Sequence, residues 1–123
     1  MQTFNTYLIR AMFGWMVLGG TLHFIADVVS QHLRGKRVPG VETMLYYGLH
    51  NSFALGQVAF GLLGLLIARR AMPLLQELPV LVLCVVVSLG WLAVAVGFIE
   101  YWQPKANAAL LCALALAVLF TRS

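Results

Sequence analysis

Long apolar stretches alternate with short polar breaks along this chain, and the pattern repeats four times. Apolar residues do not alternate with polar ones at period two, as barrel strands would require. The stretches instead predict helices over about 4–31, 41–68, 79–101 and 104–120. Each holds an apolar core near the ~20 residues that a bilayer crossing takes. The predicted spans are about 8–31, 42–68, 79–101 and 105–121, the last being the shortest. The break 32–40 is basic and ends at Pro39-Gly40, a strong helix stop. The break 71–78 contains Pro73 and Glu77. Pro79 and Pro104 sit in first turns, where a missing N–H costs nothing. Glu42 opens helix 2 and Arg69-Arg70 closes it, each at the end its charge suits. Breaks this short force antiparallel neighbours. The predicted fold class is therefore all-α: a polytopic membrane protein, an antiparallel up-down-up-down four-helix transmembrane bundle, in one domain over 1–123.

Small and polar residues recur at helical spacing and mark the faces that should meet. Helix 1 presents Met16, Gly19, Gly20, His23, Asp27 and Ser30. Helix 2 presents Tyr47, His50, Asn51, Ala54, Gln57, Gly61 and Gly64. Helix 3 offers Cys84, Ser88, Trp91 and Ala95, and helix 4 offers Ala109, Cys112, Ala113 and Ala117. The four stripes are expected to converge on one interior.

Composition strengthens the membrane assignment. The chain has 123 residues, 62% hydrophobic and 10% charged, and a soluble domain of this length lacks the volume to hide so much apolar surface. The net charge is +4, with basic residues at loops and helix ends. Arg34, Lys36, Arg37 and Lys105 fall on the face of loops 1–2 and 3–4, called the first face; Arg10, Arg69, Arg70 and Arg122 fall on the other. The tie gives no orientation. The first face also gathers Tyr46, Tyr47, Tyr101 and Trp102 as an aromatic belt. No groove-reading motif or basic stripe is present, so nucleic acid is not an expected partner. Cys84 and Cys112 lie inside apolar stretches without CxxC spacing, which argues against a disulfide or zinc pair. The apolar run after Arg10 is too long for a signal peptide and no cleavage pattern follows Gly19-Gly20, so helix 1 is expected to be retained.

The candidate chemistry lies between helices 1 and 2. His23 and His50 each lie six residues from the first-face end of their stretch. In an antiparallel hairpin both rings sit roughly 9 Å deep, at about 1.5 Å rise per residue. Asp27, one turn from His23, is the acidic residue set well inside a span. Ionisable groups at such depth mark function by default. The candidate ligand-binding or proton-handling residues are His23, Asp27, His50, Asn51, Tyr47 and Gln57. A histidine beside a carboxylate can hold one tautomer and pass a proton. Two facing histidines could instead ligate haem b, or hold a transition metal of unknown identity with Asp27. A ring of donors could bind a quinone or lipid head. The plain alternative is a structural network tying helix 1 to helix 2. No cofactor is predicted outright, and no catalytic residue is assigned, since no serine–histidine or carboxylate pair is placed for hydrolysis or transfer. His32 and Glu77 are expected to be solvated, and Glu100 to be a surface carboxylate near Lys105. Gln57 is expected to bond across the interior or to its own backbone, and Trp91 to pack centrally.

The segments Gly19-Gly20-Thr21-Leu22-His23 and Tyr46-Tyr47-Gly48-Leu49-His50 resemble the small four-helix inner-membrane proteins of bacteria of the YgdD type. Those proteins also place a histidine after glycines in helix 1 and a tyrosine–histidine pair in helix 2. The resemblance covers the first half of the chain. It implies a multi-pass protein of the bacterial inner membrane and carries no defined activity, and Asp27 and Asn51 have no counterpart in it. The expected function is a small integral membrane protein that binds a small ligand or relays protons in a polar pocket between helices 1 and 2. Enzymatic activity is not expected. One alternative is an accessory or assembly subunit of a larger membrane complex, docking through Ala109, Ala113 and Ala117; another is a b-type haem redox protein. Expected partners are the lipid bilayer and either a second copy of the chain or a larger membrane complex.

Overall fold

A computed structural model describes residues 2–35 and 37–122. Lys36, counted above among the first-face cations, lies outside the described residues. The protein is all-helical, and among the described residues no strand forms. Helix α1 spans Gln2–Leu33, α2 Val41–Arg70, α3 Leu78–Phe98 and α4 Trp102–Thr121. All four are long and apolar enough to cross a membrane. A 3-10 turn, Met72–Gln76, links α2 to α3.

The boundaries follow local chemistry. Helix α1 runs past the predicted end because a π-helical segment, Ile25–Val29, carries it into a closing turn, Ser30–Leu33. It stops at Gly35, whose φ of +58° is the left-handed conformation that favours glycine after a helix. The Gly35 and Arg34 amides cap the last carbonyls, of His32 and Ser30. Helix α3 ends at Phe98, short of the predicted 101, because Ile99 and Tyr101 adopt extended backbone. Helix α4 starts at Trp102, two residues before Pro104, which still falls in the first turn where its absent N–H has no helical partner.

Helix α1 is the centre of the fold. It packs along α2 on one side and α4 on the other, and α3 packs on α4. Residues early in α1 meet residues late in α2. The contact depends on glycine: a Cβ at Gly61 would lie 2.7 Å from the Phe13 carbonyl oxygen, and one at Gly20 would lie 3.1 Å from that of Ala54. Those distances bring backbone against backbone, the close approach that small residues allow between apolar helices. Between α2 and α3 large side chains span the gap instead. Trp91 meets Phe60 edge-on with ring centres 5.8 Å apart.

The core has two parts. Ile9, Met12, Phe13 and Met16 of α1 pack with Ala68, Leu75, Leu81, Cys84, Leu111, Ala115 and Val118. A smaller cluster joins Phe53, Ala95, Ile99 and Ala108. Leu, Val and Phe side chains cover much of the outside, among them Leu18, Leu55, Leu63, Val86 and Phe98.

The predicted interior faces hold for α1, α2 and α3, whose buried residues include Met16, Gly19, Gly20, His23, Ala54, Gln57, Gly61, Gly64, Cys84, Ser88 and Ala95. Helix α4 is rotated from the expected face. Ala108, Leu111, Cys112, Ala115 and Val118 are buried, while Ala109 and Ala113 face outward. Two hydrogen bonds set this rotation. Asn5 Nδ2 donates to the Val118 carbonyl at 2.8 Å, and Trp15 Nε1 donates to that of Asn107 at 3.4 Å. Bulky Leu111 and Val118 then fill the space beside Ile9 and Met12, which alanines would leave open.

Candidate functional site

Helices α1 and α2 bring His23, Asp27 and His50 together near the first face. His23 Nε2 lies 2.9 Å from His50 Nδ1, and both residues are at most 5% exposed. The ring centres are 4.9 Å apart with planes 20° from parallel. That separation is close to the nitrogen–nitrogen distance plus two ring radii, so the rings meet edge to edge, nearly coplanar. This is the geometry of an in-line N–H···N hydrogen bond.

Asp27 extends the chain. Its Oδ2 lies 2.8 Å from His23 Nδ1, with its side chain 14% exposed. The carboxylate sits off the line of the ring N–H, which makes the contact electrostatic more than directional. Asp27 belongs to the π-helical segment, and such segments recur where a helix must re-aim a functional side chain. The tautomers follow from the partners. With the His23 Nδ1 proton turned to the carboxylate, His23 Nε2 is an acceptor, and His50 Nδ1 must donate to it. The carboxylate thus sets the His23 tautomer electrostatically, and the two imidazoles share one directional hydrogen bond.

An aromatic and cationic stack roofs this chain, and sequence reasoning missed most of it. Tyr46 lays its ring on His50, centres 4.1 Å apart, and donates its hydroxyl to the Asp27 carbonyl at 3.0 Å. The Arg37 guanidinium sits 3.3 Å above the Tyr46 ring centre, a cation–π contact. Arg37 Nη2 also donates to the Tyr101 hydroxyl at 3.3 Å. Burial disfavours the charge on Arg37, but the Tyr101 bond and the electrostatics of Tyr46 and Tyr101 raise its pKa above the ordinary value. Phe53 packs on the far side of His23, ring centres 4.9 Å apart. The order through the site is Arg37, Tyr46, His50, His23, Phe53.

A cavity of about 970 Å³ opens beside the stack and reaches Asp27. Arg34, Arg37, Glu42 and Tyr101 also line it. The buried group therefore meets a polar cavity at Asp27.

The remaining sequence candidates fall elsewhere. Asn51 does not join the group: it faces outward, and its amide donates to the Tyr47 carbonyl at 2.8 Å. Tyr47 turns its ring to His32, with centres 6.1 Å apart and planes 74° apart, so Tyr46 takes the place beside His50. Gln57 is fully buried two turns deeper, and among the described residues neither its Nε2 nor its Oε1 has a partner. The expected cross-interior or backbone bond does not form. His32 and Glu77 are exposed, as predicted for solvated groups. Glu100 is exposed, as expected of a surface carboxylate, and lies 3.8 Å from Arg37. Cys84 and Cys112 are free, buried thiols.

One ligand atom from each of His23, Asp27 and His50 falls within 4.8 Å of the others, so the set could hold a metal ion. The observed His23–His50 contact fits a proton better. Two nitrogens at about 2.0–2.1 Å from a tetrahedral metal would stand about 3.3 Å apart, more than the 2.9 Å between these two. Comparison with protein-family models, curated proteins and solved structures finds no match for this chain.

Proposed function

We propose that this chain is a small multi-pass protein of the bacterial inner membrane whose up-down-up-down bundle carries a proton relay from its interior to its first-face cavity. The carrying observation is the edge-to-edge His23–His50 contact of 2.9 Å, continued by Asp27 to the cavity. A proton is what fits between opposed ring nitrogens at that distance.

The relay works by exchange along the chain. When the outer nitrogen of His50 takes up a proton from the interior, the His50 Nδ1 proton passes to His23 Nε2 and the His23 Nδ1 proton passes to Asp27, which releases it to the cavity, with no group leaving its place. Arg37 and Tyr46 shield the imidazoles from bulk water and keep a fixed positive charge at the mouth. Between Gln57 and the polar cluster around Asn5 at the other end, Met12, Phe13 and Met16 close the bundle. This favours delivery to or from the interior over conduction across the whole protein. Membrane placement is supported by the outward Leu, Val and Phe side chains, which would be costly in water and are suited to lipid.

The accessory-subunit alternative retains one observation in its favour. Ala109 and Ala113 face outward on α4 and would let another helix come close. Haem held between the histidines requires their rings to part.

The test is proton counting. Protein in phosphatidylcholine nanodiscs is stepped to lower pH in the presence of an indicator dye, and uptake is compared for wild type, His23→Ala, His50→Ala and the double variant at equal helical content. Coupled imidazoles predict that each single variant removes the same proton and that the double variant removes no more. Additive losses would show two independent histidines and end the relay reading.

A further inference from the structure

On their outer side, helices α1 and α2 border a groove of about 460 Å³ that shares no lining residue with the first-face cavity. Thr21, Phe24, Asn51, Ser52 and Leu55 line it, and all five are exposed. Thr21 lies two residues deeper than His23, and Asn51 one deeper than His50. Both therefore sit roughly 10–12 Å inside the span, at about 1.5 Å rise per residue. Hydrocarbon at that depth offers no hydrogen bond, yet polar atoms face it. Asn51 commits one N–H to the Tyr47 carbonyl, which leaves its second N–H and its Oδ1 without a partner among the described residues. Thr6, Ser88 and Thr121 turn their hydroxyls back onto the carbonyl one turn earlier. Among the described residues, the hydroxyls of Thr21 and Ser52 make no such bond.

These features define what covers the groove. An acyl chain fills apolar volume but gives nothing to an amide or a hydroxyl. The cover must bring uncharged donors and acceptors to this depth. The groove has that character itself. Asn, Thr and Ser each donate and accept, so the surface is complementary to its own copy, which is the condition for a twofold interface. Copies inserted in the same sense set the two surfaces at one depth. Copies inserted oppositely across a hydrocarbon core of about 30 Å would hold them roughly 8 Å apart in depth. We propose that this groove is the interface of a parallel dimer, in which Asn51 bonds polar groups of a second copy while Phe24 and Leu55 pack around them. Polar side chains join helices in lipid in this way. The proposal does not rest on the relay.

The test is self-association of the full chain in phosphatidylcholine vesicles. Copies carrying a donor or an acceptor dye at the amino terminus are mixed, and energy transfer is followed as added lipid dilutes the protein. Transfer is expected at low protein-to-lipid ratio, and unlabelled wild type should compete it away. Asn51→Leu should weaken association about tenfold, because the twofold axis removes each lost bond twice. Asn51 is exposed and bonds only its own helix, so this variant keeps its fold. Ala113→Leu, on the outward face of α4, should associate as the wild type does. Met44→Cys lies exposed two turns before Asn51, at the first face, and a water-soluble bismaleimide should join it to its copy. Transfer that unlabelled chain does not compete away, unchanged association of Asn51→Leu, loss of association in Ala113→Leu instead, or absence of the cross-linked pair each overturns the proposal.

Discussion

Two polar clusters hold opposite ends of this bundle, and they differ in kind. At one end Asn5 Nδ2 donates to the Val118 carbonyl and to Thr121 Oγ1, at 2.8 and 3.0 Å. Gln76 Nε2 donates to Asn5 Oδ1 at 3.2 Å, and Gln2 Nε2 to Gln76 Oε1 at 3.0 Å. These links are neutral amides and hydroxyls that join α1, the 3-10 turn and α4, and the permanently charged Arg122 adds a bond from its Nε to the Gln76 carbonyl at 3.4 Å. At the other end the links are a carboxylate and two imidazoles, roofed by a guanidinium and opening on a cavity. Both clusters fasten helices. The first has no group that changes charge, so fastening is all it can do. The second fastens with groups that can titrate, which is a costly choice in an apolar bundle unless proton movement is used.

Substitutions can break or sharpen this contrast. The largest effect is expected from His23→Leu, which strands both Asp27 and His50. Thermal unfolding should show a loss of roughly 1–3 kcal/mol for each stranded group, and coupled proton uptake should vanish. Gly61→Ala acts on the seam that positions both clusters. Its Cβ would press on the Phe13 carbonyl and cost about 1–3 kcal/mol in unfolding measurements, without abolishing uptake. Asn5→Leu removes the bonds that Asn5 makes with the Val118 carbonyl, Thr121 Oγ1 and Gln76 Nε2, so a drop of about 1–3 kcal/mol is expected. Its proton uptake should stay at the wild-type value, and a change there would erase the distinction between the clusters. Arg37→Gln should be smaller, about 0.5–2 kcal/mol from the lost cation–π contact. Since the roof is also loosened, hydrogen exchange at the histidines should quicken; unchanged exchange would mean that Arg37 shields nothing. Tyr46→Phe removes one hydroxyl bond to the Asp27 carbonyl and should cost about 0.5–1.5 kcal/mol.

The sequence disclosed the chain of the site more fully than its roof. His23, Asp27 and His50 were legible because ionisable residues inside apolar runs are rare, and their depth could be counted from helix rise. The choice between Tyr46 and Tyr47 was not legible. They precede His50 by four and three residues, and both spacings put a ring on the histidine's side of the helix. Asn51 differs for a related reason: one residue on from His50, the helical step of about 100° turns it outward, where it bonds the Tyr47 carbonyl of its own helix. Arg37 was counted as a loop cation, since nothing local shows that the break 34–40 folds back over α2. The α4 face was not legible because small residues suggest one packing side, whereas Asn5 and Trp15 of α1 fix the rotation from a distance in sequence. The π-helical segment has no composition signal, since Ile25–Val29 reads as ordinary apolar helix apart from Asp27.

The shared proton between the two imidazoles is the point on which the account turns. Histidine-selective ¹⁵N labelling and NMR of the protein in nanodiscs observe it directly. The account predicts a through-hydrogen-bond coupling between His50 Nδ1 and His23 Nε2 that disappears in His23→Ala. Two uncoupled imidazoles, each a mixture of tautomers in exchange with water, would contradict it.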